Sequence, residues 1–170
     1  LTNCCWRKYR FWAVDTANPN SFDACRRKVL KRSKADIVSA QEIKLKTNDE
    51  VCTVKRAARR EGWGAHFGLA KHTAADRGSA GCAVAAKRGM GNAPIYTDGV
   101  HADTSHRITA AWVDAVVKGG VTVVSVYMAD SEGLSERNQL VLQEAAALVR
   151  SLRSPWIMPS DWNMSPTVLN

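Results

Sequence analysis

"ADIVSAQE", Ala35–Glu42, is the stretch on which the reading of this chain turns. Ile37 and Val38 are β-branched and stiff at χ1, which suits an extended, packed strand better than a helix. The apolar run ends on an amide, Gln41, and a carboxylate, Glu42. A rigid strand that ends in polar groups can carry them to a sheet rim, where segments distant in sequence converge on one substrate. A lone acid there is more often solvated or part of a turn, so the pair takes its meaning from what surrounds it.

Upstream, "YRFWAVDTA" (Tyr9–Ala17) reads as a strand that runs into the turn-forming "NPNS" (Asn18–Ser21). From Phe22 to Lys34, the apolar Phe22, Val29 and Leu30 lie among Arg26, Arg27, Lys28, Lys31 and Arg32, the pattern of a short helix with a basic outer face. Downstream, Thr47 and Glu50 have capping-box spacing, Val51, Val54 and Ala58 share a helical face, and Gly62 can end that helix. "WGAHFGLA" (63–70) and "AGCAVAAK" (80–87) read as strands around the basic loop "KHTAADRGS", and Gly89, Gly91 and Pro94 mark an irregular stretch.

"HRITAAWVDAVV" (106–117) and "VTVVSVYMA" (121–129) flank Lys118, Gly119 and Gly120 as a hairpin. Ser135 opens a helix in which Leu140, Glu144, Leu148 and Leu152 track one side, and Ala145–Ala147 favour helix. The apolar "PWIMPSDW" (155–162) is a last strand. The class is mixed α and β in one domain spanning 1–170, with layered sheets as the expected architecture.

Composition sets broad limits. The 170 residues are 45% hydrophobic and 24% charged, ordinary for a globular chain, and 24 Lys and Arg against 16 Asp and Glu give a formal charge of +8. That surplus favours a polyanion such as nucleic acid, though an anionic membrane surface fits the charge alone almost as well. No stretch reaches the ~20 apolar residues of a membrane span, and "LTNCCWRKYR" lacks the apolar middle of a secretory signal. The five cysteines (Cys4, Cys5, Cys25, Cys52 and Cys82) are odd in number and lack zinc-site spacing. These features predict a soluble, non-secreted protein with reduced thiols in an intracellular compartment, the nucleus included. Trp12, Trp112 and Trp156 are expected in the core, while His66, His72 and His101 are expected as exposed loop imidazoles.

Three strand ends carry acids or amides: Asn18 and Asn20, Gln41 and Glu42, Asp161 and Asn163. Glu42 and Asp161 are the kind of carboxylate that hard cations such as Mg²⁺ prefer. In order along the chain, "NPNS", "DIVSAQE", "RGSAGCAVAAKRG", "HRITAAWVDA", "VTVVSVYMAD" and "WIMPSDWN" resemble the six strand motifs of the endonuclease/exonuclease/phosphatase family. That family includes exonuclease III, abasic-site endonucleases and the endonucleases of non-LTR retrotransposons.

The resemblance implies an α/β (α+β) fold, a four-layer sandwich of two mixed β-sheets flanked by helices. This chain would supply its N-terminal two-thirds. It implies Mg²⁺ (or Mn²⁺) held by Glu42, with Asn18 in the metal and phosphate environment and Asp15 as an alternative register for that position. Tyr127 would contact the phosphate, Asp161 would orient or deprotonate the attacking water, and Asn163 would bind a phosphate oxygen. Arg107 is either a phosphate contact or a surface residue. The implied activity is phosphodiester hydrolysis on a DNA or RNA backbone, with a phosphatase or an inactive nucleic-acid-binding remnant as alternatives. The family's late Ser-Asp-His motif has no counterpart, since the sequence ends seven residues after Asn163.

Overall fold

The structure, a computed structural model, describes residues 11–74, 78–95, 104–114, 117–164 and 167. Cys4, Cys5 and His101 lie outside the described residues. The first sheet has the order β1 (Val14–Ala17), β2 (Ile37–Ala40), β6 (Ala83–Lys87), β3 (Trp63–Phe67). The second has the order β10 (Trp156–Ile157), β9 (Val121–Val126), β8 (Ile108–Val113), β7 (Asn92–Ile95). Both sheets are mixed: β1 runs parallel to β2 and β10 to β9, and the other pairings are antiparallel. A small two-stranded sheet joins β4 (Lys71–His72) to β5 (Gly78–Ser79).

Period-2 alternation explains the layers, because successive strand side chains point to opposite faces. Ile37, Val84, Ala86, Ala111, Val113, Val121 and Val123 meet between the sheets. Their neighbours Val38, Ala40, Ala83 and Ala85 face outward against Cys25, Leu30, Val51, Val54 and Ala58 of the first two helices. On the other side, Ile108, Ala110, Val124 and Val126 pack on Val141, Ala145 and Leu148 of the third helix. The result is the four-layer α/β sandwich, and each fully buried Val or Ile in it contributes roughly 1.5–3 kcal/mol.

Helix α1 starts as a turn, Phe22–Ala24, with Ser21 Oγ accepting from the Ala24 N–H, and continues as a π-helix, Cys25–Leu30. It is thus shorter and wider than the helix predicted to Lys34. Helix α2 (Asn48–Arg60) has the predicted capping box, the predicted buried face and a left-handed Gly62 beyond its end. Helix α3 (Glu136–Ser151) is capped by Ser135 as predicted, but buries Asn138, Val141, Ala145 and Leu148. The expected face is therefore off by about one position, and Leu140 is 40% exposed. Asn138 turns inward because its side chain exchanges hydrogen bonds with the N–H and carbonyl of Ala129.

The tryptophans also depart from expectation. Trp156 lies on the short edge strand β10 and is 47% exposed, whereas the fully buried indole is Trp63, whose Nε1 donates to the Leu30 carbonyl at 2.8 Å. His66 lies on β3, half-buried against Asn92, rather than in an exposed loop, while His72 is exposed on β4. Among the described residues, no helix is long and apolar enough to cross a membrane.

Candidate active site

Register places the polar strand ends together. Ala17, Ala40, Ala83 and Phe67 pair across one end of the first sheet, and Val14, Ile37, Ala86 and the Trp63–Lys87 pair mark the other. We term these ends the rim and the base. The segments after β1, β2, β9 and β10 all emerge at the rim, carrying Asn18, Glu42, Tyr127 and Asp161 respectively. Tyr127 forms a single parallel pairing with Asp161 just beyond the ladder of β9.

Asp161 has both carboxylate oxygens engaged: Oδ2 accepts from Asn18 Nδ2 at 2.8 Å, and Oδ1 accepts from the Asn163 N–H at 3.2 Å. Asn163 Nδ2 in turn donates to the Met128 carbonyl at 2.8 Å. Asn18 Oδ1 accepts from the Asn20 N–H at 3.3 Å, so this amide bridges its own turn and a carboxylate 143 positions away. Asp15, the alternative to Asn18, instead accepts from Ser33 Oγ at 2.6 Å.

Glu42 is the second acid of the rim. Its Oε1 accepts from the Tyr127 hydroxyl at 2.9 Å and lies 3.8 Å from Lys44 Nζ. Lys44 also donates to Asn20 Oδ1. Burial, then the bond to Glu42 and its charge, push the Tyr127 phenol above its ordinary range, so it remains a proton-bearing donor. Arg107 is 5% exposed, which overturns the surface alternative. Its guanidinium lies over the Tyr127 ring, 5.2 Å from the centroid, and Nη1 donates to the Tyr127 carbonyl at 3.3 Å. Desolvation, followed by the charge of Arg137, lowers its pKa.

Beneath these groups Gln41 is buried between the sheets. Its Nε2 faces Ser39 Oγ, Ser125 Oγ and the Pro159 carbonyl at 2.9, 3.0 and 3.3 Å, joining three strands' ends. The rim is also where the backbone is forced. Asn20, Glu42, Lys44 and Asn163 have φ of 64°, 54°, 60° and 47°, a region non-glycine residues rarely occupy. Each such residue costs on the order of 1 kcal/mol or more, and such costs cluster where side chains must be aimed.

The donor set suits a hard cation in one respect. One carboxylate and nearby amide oxygens can hold Mg²⁺ if water and substrate phosphate complete the shell. It does not form an all-protein cage: among the described residues, no three His, Cys, Asp or Glu side chains cluster for a metal. Sequence reasoning missed Lys44, whose place two residues beyond Glu42 in the same turn is the one available signal, and it passed over Gln41 as a structural clamp.

The fold is that of the endonuclease/exonuclease/phosphatase proteins. The chain superposes on an endonuclease/exonuclease/phosphatase family protein from Leptotrichia buccalis with a TM-score of 0.60 and 15% identity, over 91% of this chain and 67% of that one. It matches a 3'-5' exonuclease from Neisseria meningitidis with a TM-score of 0.60 and 24% identity, over 90% and 58% of the two chains. An AP endonuclease from Leishmania major gives a TM-score of 0.61 and 17% identity, over 91% and 56%. The chain therefore spans somewhat more than half the length of these two enzymes. Neither a protein-family model nor a curated relative matches the sequence.

Proposed function

We propose that the rim is a site for Mg²⁺-dependent phosphodiester hydrolysis in nucleic acid. The reading rests on one observation: Asn18, Glu42, Tyr127, Asp161 and Asn163, from four separate segments, converge at the strand ends of a fold whose solved examples include an exonuclease and an AP endonuclease. Glu42 would hold the metal, with Asn18 beside it on the Asp161 side. A bound Mg²⁺ would supply Lewis-acid stabilisation of charge on the phosphate. Asp161, aimed by Asn18 and by the Asn163 N–H, accepts the proton of the attacking water. Tyr127, whose hydroxyl proton is given to Glu42 here, would turn it to the phosphate once that carboxylate holds the metal, and the second Nδ2 hydrogen of Asn163 would hold a phosphate oxygen.

A second reading, nucleic-acid binding without cleavage, is favoured by Lys44, whose ammonium already stands 3.8 Å from the metal-holding carboxylate. Incubating supercoiled plasmid and abasic-site duplex with the protein, in Mg²⁺ and in EDTA, separates the two. Nicking that needs Mg²⁺ and disappears in Glu42→Ala and Asp161→Ala is the expected result. Equal nicking by the wild type and both variants overturns the site, and no nicking at all supports binding alone.

A further inference from the structure

The base holds an arrangement that the rim reading does not use. Arg59 and Arg60 end α2, Arg88 follows β6, and Arg32 lies in the turn after α1. Three bonds draw these segments together: Arg88 N–H to the Gly62 carbonyl at 2.7 Å, Trp63 Nε1 to the Leu30 carbonyl at 2.8 Å, and Lys87 Nζ to the Ser33 carbonyl at 3.3 Å. Between them is a depression of about 340 Å³ lined by Arg59, Trp63, Gly64, Arg88, Gly89 and Met90.

The four arginines are exposed, and among the described residues none forms an ion pair. Two of the acids nearby are already engaged, while Asp114 is exposed beside Gly91. Glu61 is shared by Arg26 and Lys31 at 3.7 Å each, and Asp36 Oδ2 accepts from the Ala13 N–H at 3.0 Å. Cations in the last turn of a helix complement its dipole, which accounts for Arg59 and Arg60. It does not account for Arg88 and Arg32, which come from two other segments and crowd the same end.

We propose that the base is a docking surface for the phosphate backbone of nucleic acid, distinct from the rim. Guanidinium groups suit phosphate because their planar forks donate two parallel hydrogen bonds. An anionic membrane is the competing partner, but interfacial binding needs large apolar side chains beside the cations. The exposed Phe11 lies at the base end beside the Arg32–Asp36 turn, and Trp156 lies on β10 of the other sheet, but Arg59 and Arg60 border β3, three strands or roughly 14 Å from β1 at ~4.8 Å per strand. Helix α2, with 13 residues, spans rim to base, or ~20 Å at 1.5 Å per residue. A polymer held at the base thus keeps a neighbouring stretch within reach of the rim.

The test is fluorescence anisotropy of a labelled duplex DNA in EDTA, titrated across salt. Arg59→Ala/Arg60→Ala/Arg88→Ala is compared with a scattered triple of equal charge loss, Lys28→Ala/Lys118→Ala/Arg150→Ala. The base triple should weaken binding roughly tenfold or more and lower the log–log salt slope by about 2–3, near 0.9 per lost phosphate contact. The scattered triple should change affinity less than about twofold. Replacing the same three arginines by lysine keeps the charge and should retain most of the binding, which guards against misfolding as the cause. Equal losses in both alanine triples overturn the proposal, as does no binding by the wild type. So does a base triple that loses phosphatidylserine vesicles but keeps DNA. The assay runs in EDTA and reads binding without cleavage, so failure of the rim as a nuclease leaves this result intact.

Discussion

At the rim, Asp161 is met by the neutral donor Asn18 and Glu42 by the neutral Tyr127 hydroxyl and, at 3.8 Å, by the Lys44 ammonium, while at the base Arg32, Arg59, Arg60 and Arg88 form no ion pair among the described residues. The rim is assembled from side-chain hydrogen bonds between segments far apart in sequence, on a backbone driven into left-handed φ. The base is assembled from backbone bonds and the packing of one fully buried indole. The lesson is that the acids proposed for chemistry are aimed chiefly by neutral hydrogen-bond donors, with one ammonium beside Glu42, whereas the base cations are left without ion pairs among the described residues.

The largest test of that contrast is a double dissociation. Asp161→Ala should cut nicking by 10²–10⁴, on the order expected for loss of a positioned base, while duplex binding stays unchanged. The base triple should do the reverse at saturating substrate. If both sets of variants lose both properties together, rim and base are not separate devices.

Stability should divide along the same line. Trp63→Ala empties a fully buried site at the base and should cost about 3–5 kcal/mol in urea unfolding. Asn18→Ala removes only an exposed hydrogen bond at the rim and should cost about 0.5–1.5 kcal/mol. A larger loss for Asn18→Ala would mean that the rim, too, is part of what holds the fold.

Alkaline pH probes the interior beneath both ends. Burial raises the thiols of Cys25 and Cys82 from 9.0 to about 12. Between those values the unfolded chain sheds these protons while the folded chain keeps them. Stability is therefore fully present below pH 9.0 and falls as pH rises towards about 12, by on the order of a few kcal/mol. Urea midpoints taken at rising pH should drop over that window, and Cys82→Ala should flatten part of the drop.

The smallest effect expected is at the cap of α2. Thr47→Ala should lower stability by about 1 kcal/mol, read from the same urea curves, and leave both nicking and DNA affinity unchanged. A change in DNA affinity would tie the α2 start at the rim to its arginines at the base.

Much of this was legible in the residues. The Thr47–Glu50 box, the Val51, Val54 and Ala58 face, the Ser135 cap and the hairpin around Gly119 depend on local chemistry, and local chemistry is what a sequence displays. The inward face of α3 was not legible, because leucines at 140, 142, 148 and 152 and an alanine run give two competing stripes. Asn138 settles the phase through a bond to Ala129 that no periodicity announces. Arg107 and Gln41 were misjudged or passed over for the same reason: their burial is created by Tyr127, Ser125 and Pro159, which come from other strands. Ordered strand-end motifs pointed to the rim; at the base the basic helix face holding Arg32 was legible, but its meeting with Arg59 and Arg88 arises only on folding.

Strand β10 pairs with β9 at only two positions, Trp156 with Thr122 and Ile157 with Val123, and the chain touches β9 again at Asp161. In between, residues 158–160 hang on side chains: Ser39 Oγ and Gln41 Nε2 on the Pro159 carbonyl, and Ser160 Oγ on the Val126 N–H. A segment fastened this way can open without melting the sheets, and amide exchange at Asp161 should run far ahead of exchange at Val124. The carboxylate proposed to activate water therefore follows a segment held by Ser39, Gln41 and Ser160. Asp161 itself donates its N–H to the Val126 carbonyl and accepts from the Met128 N–H at 3.0 Å each, so its time in position is set by this small set of bonds rather than by the lifetime of the fold.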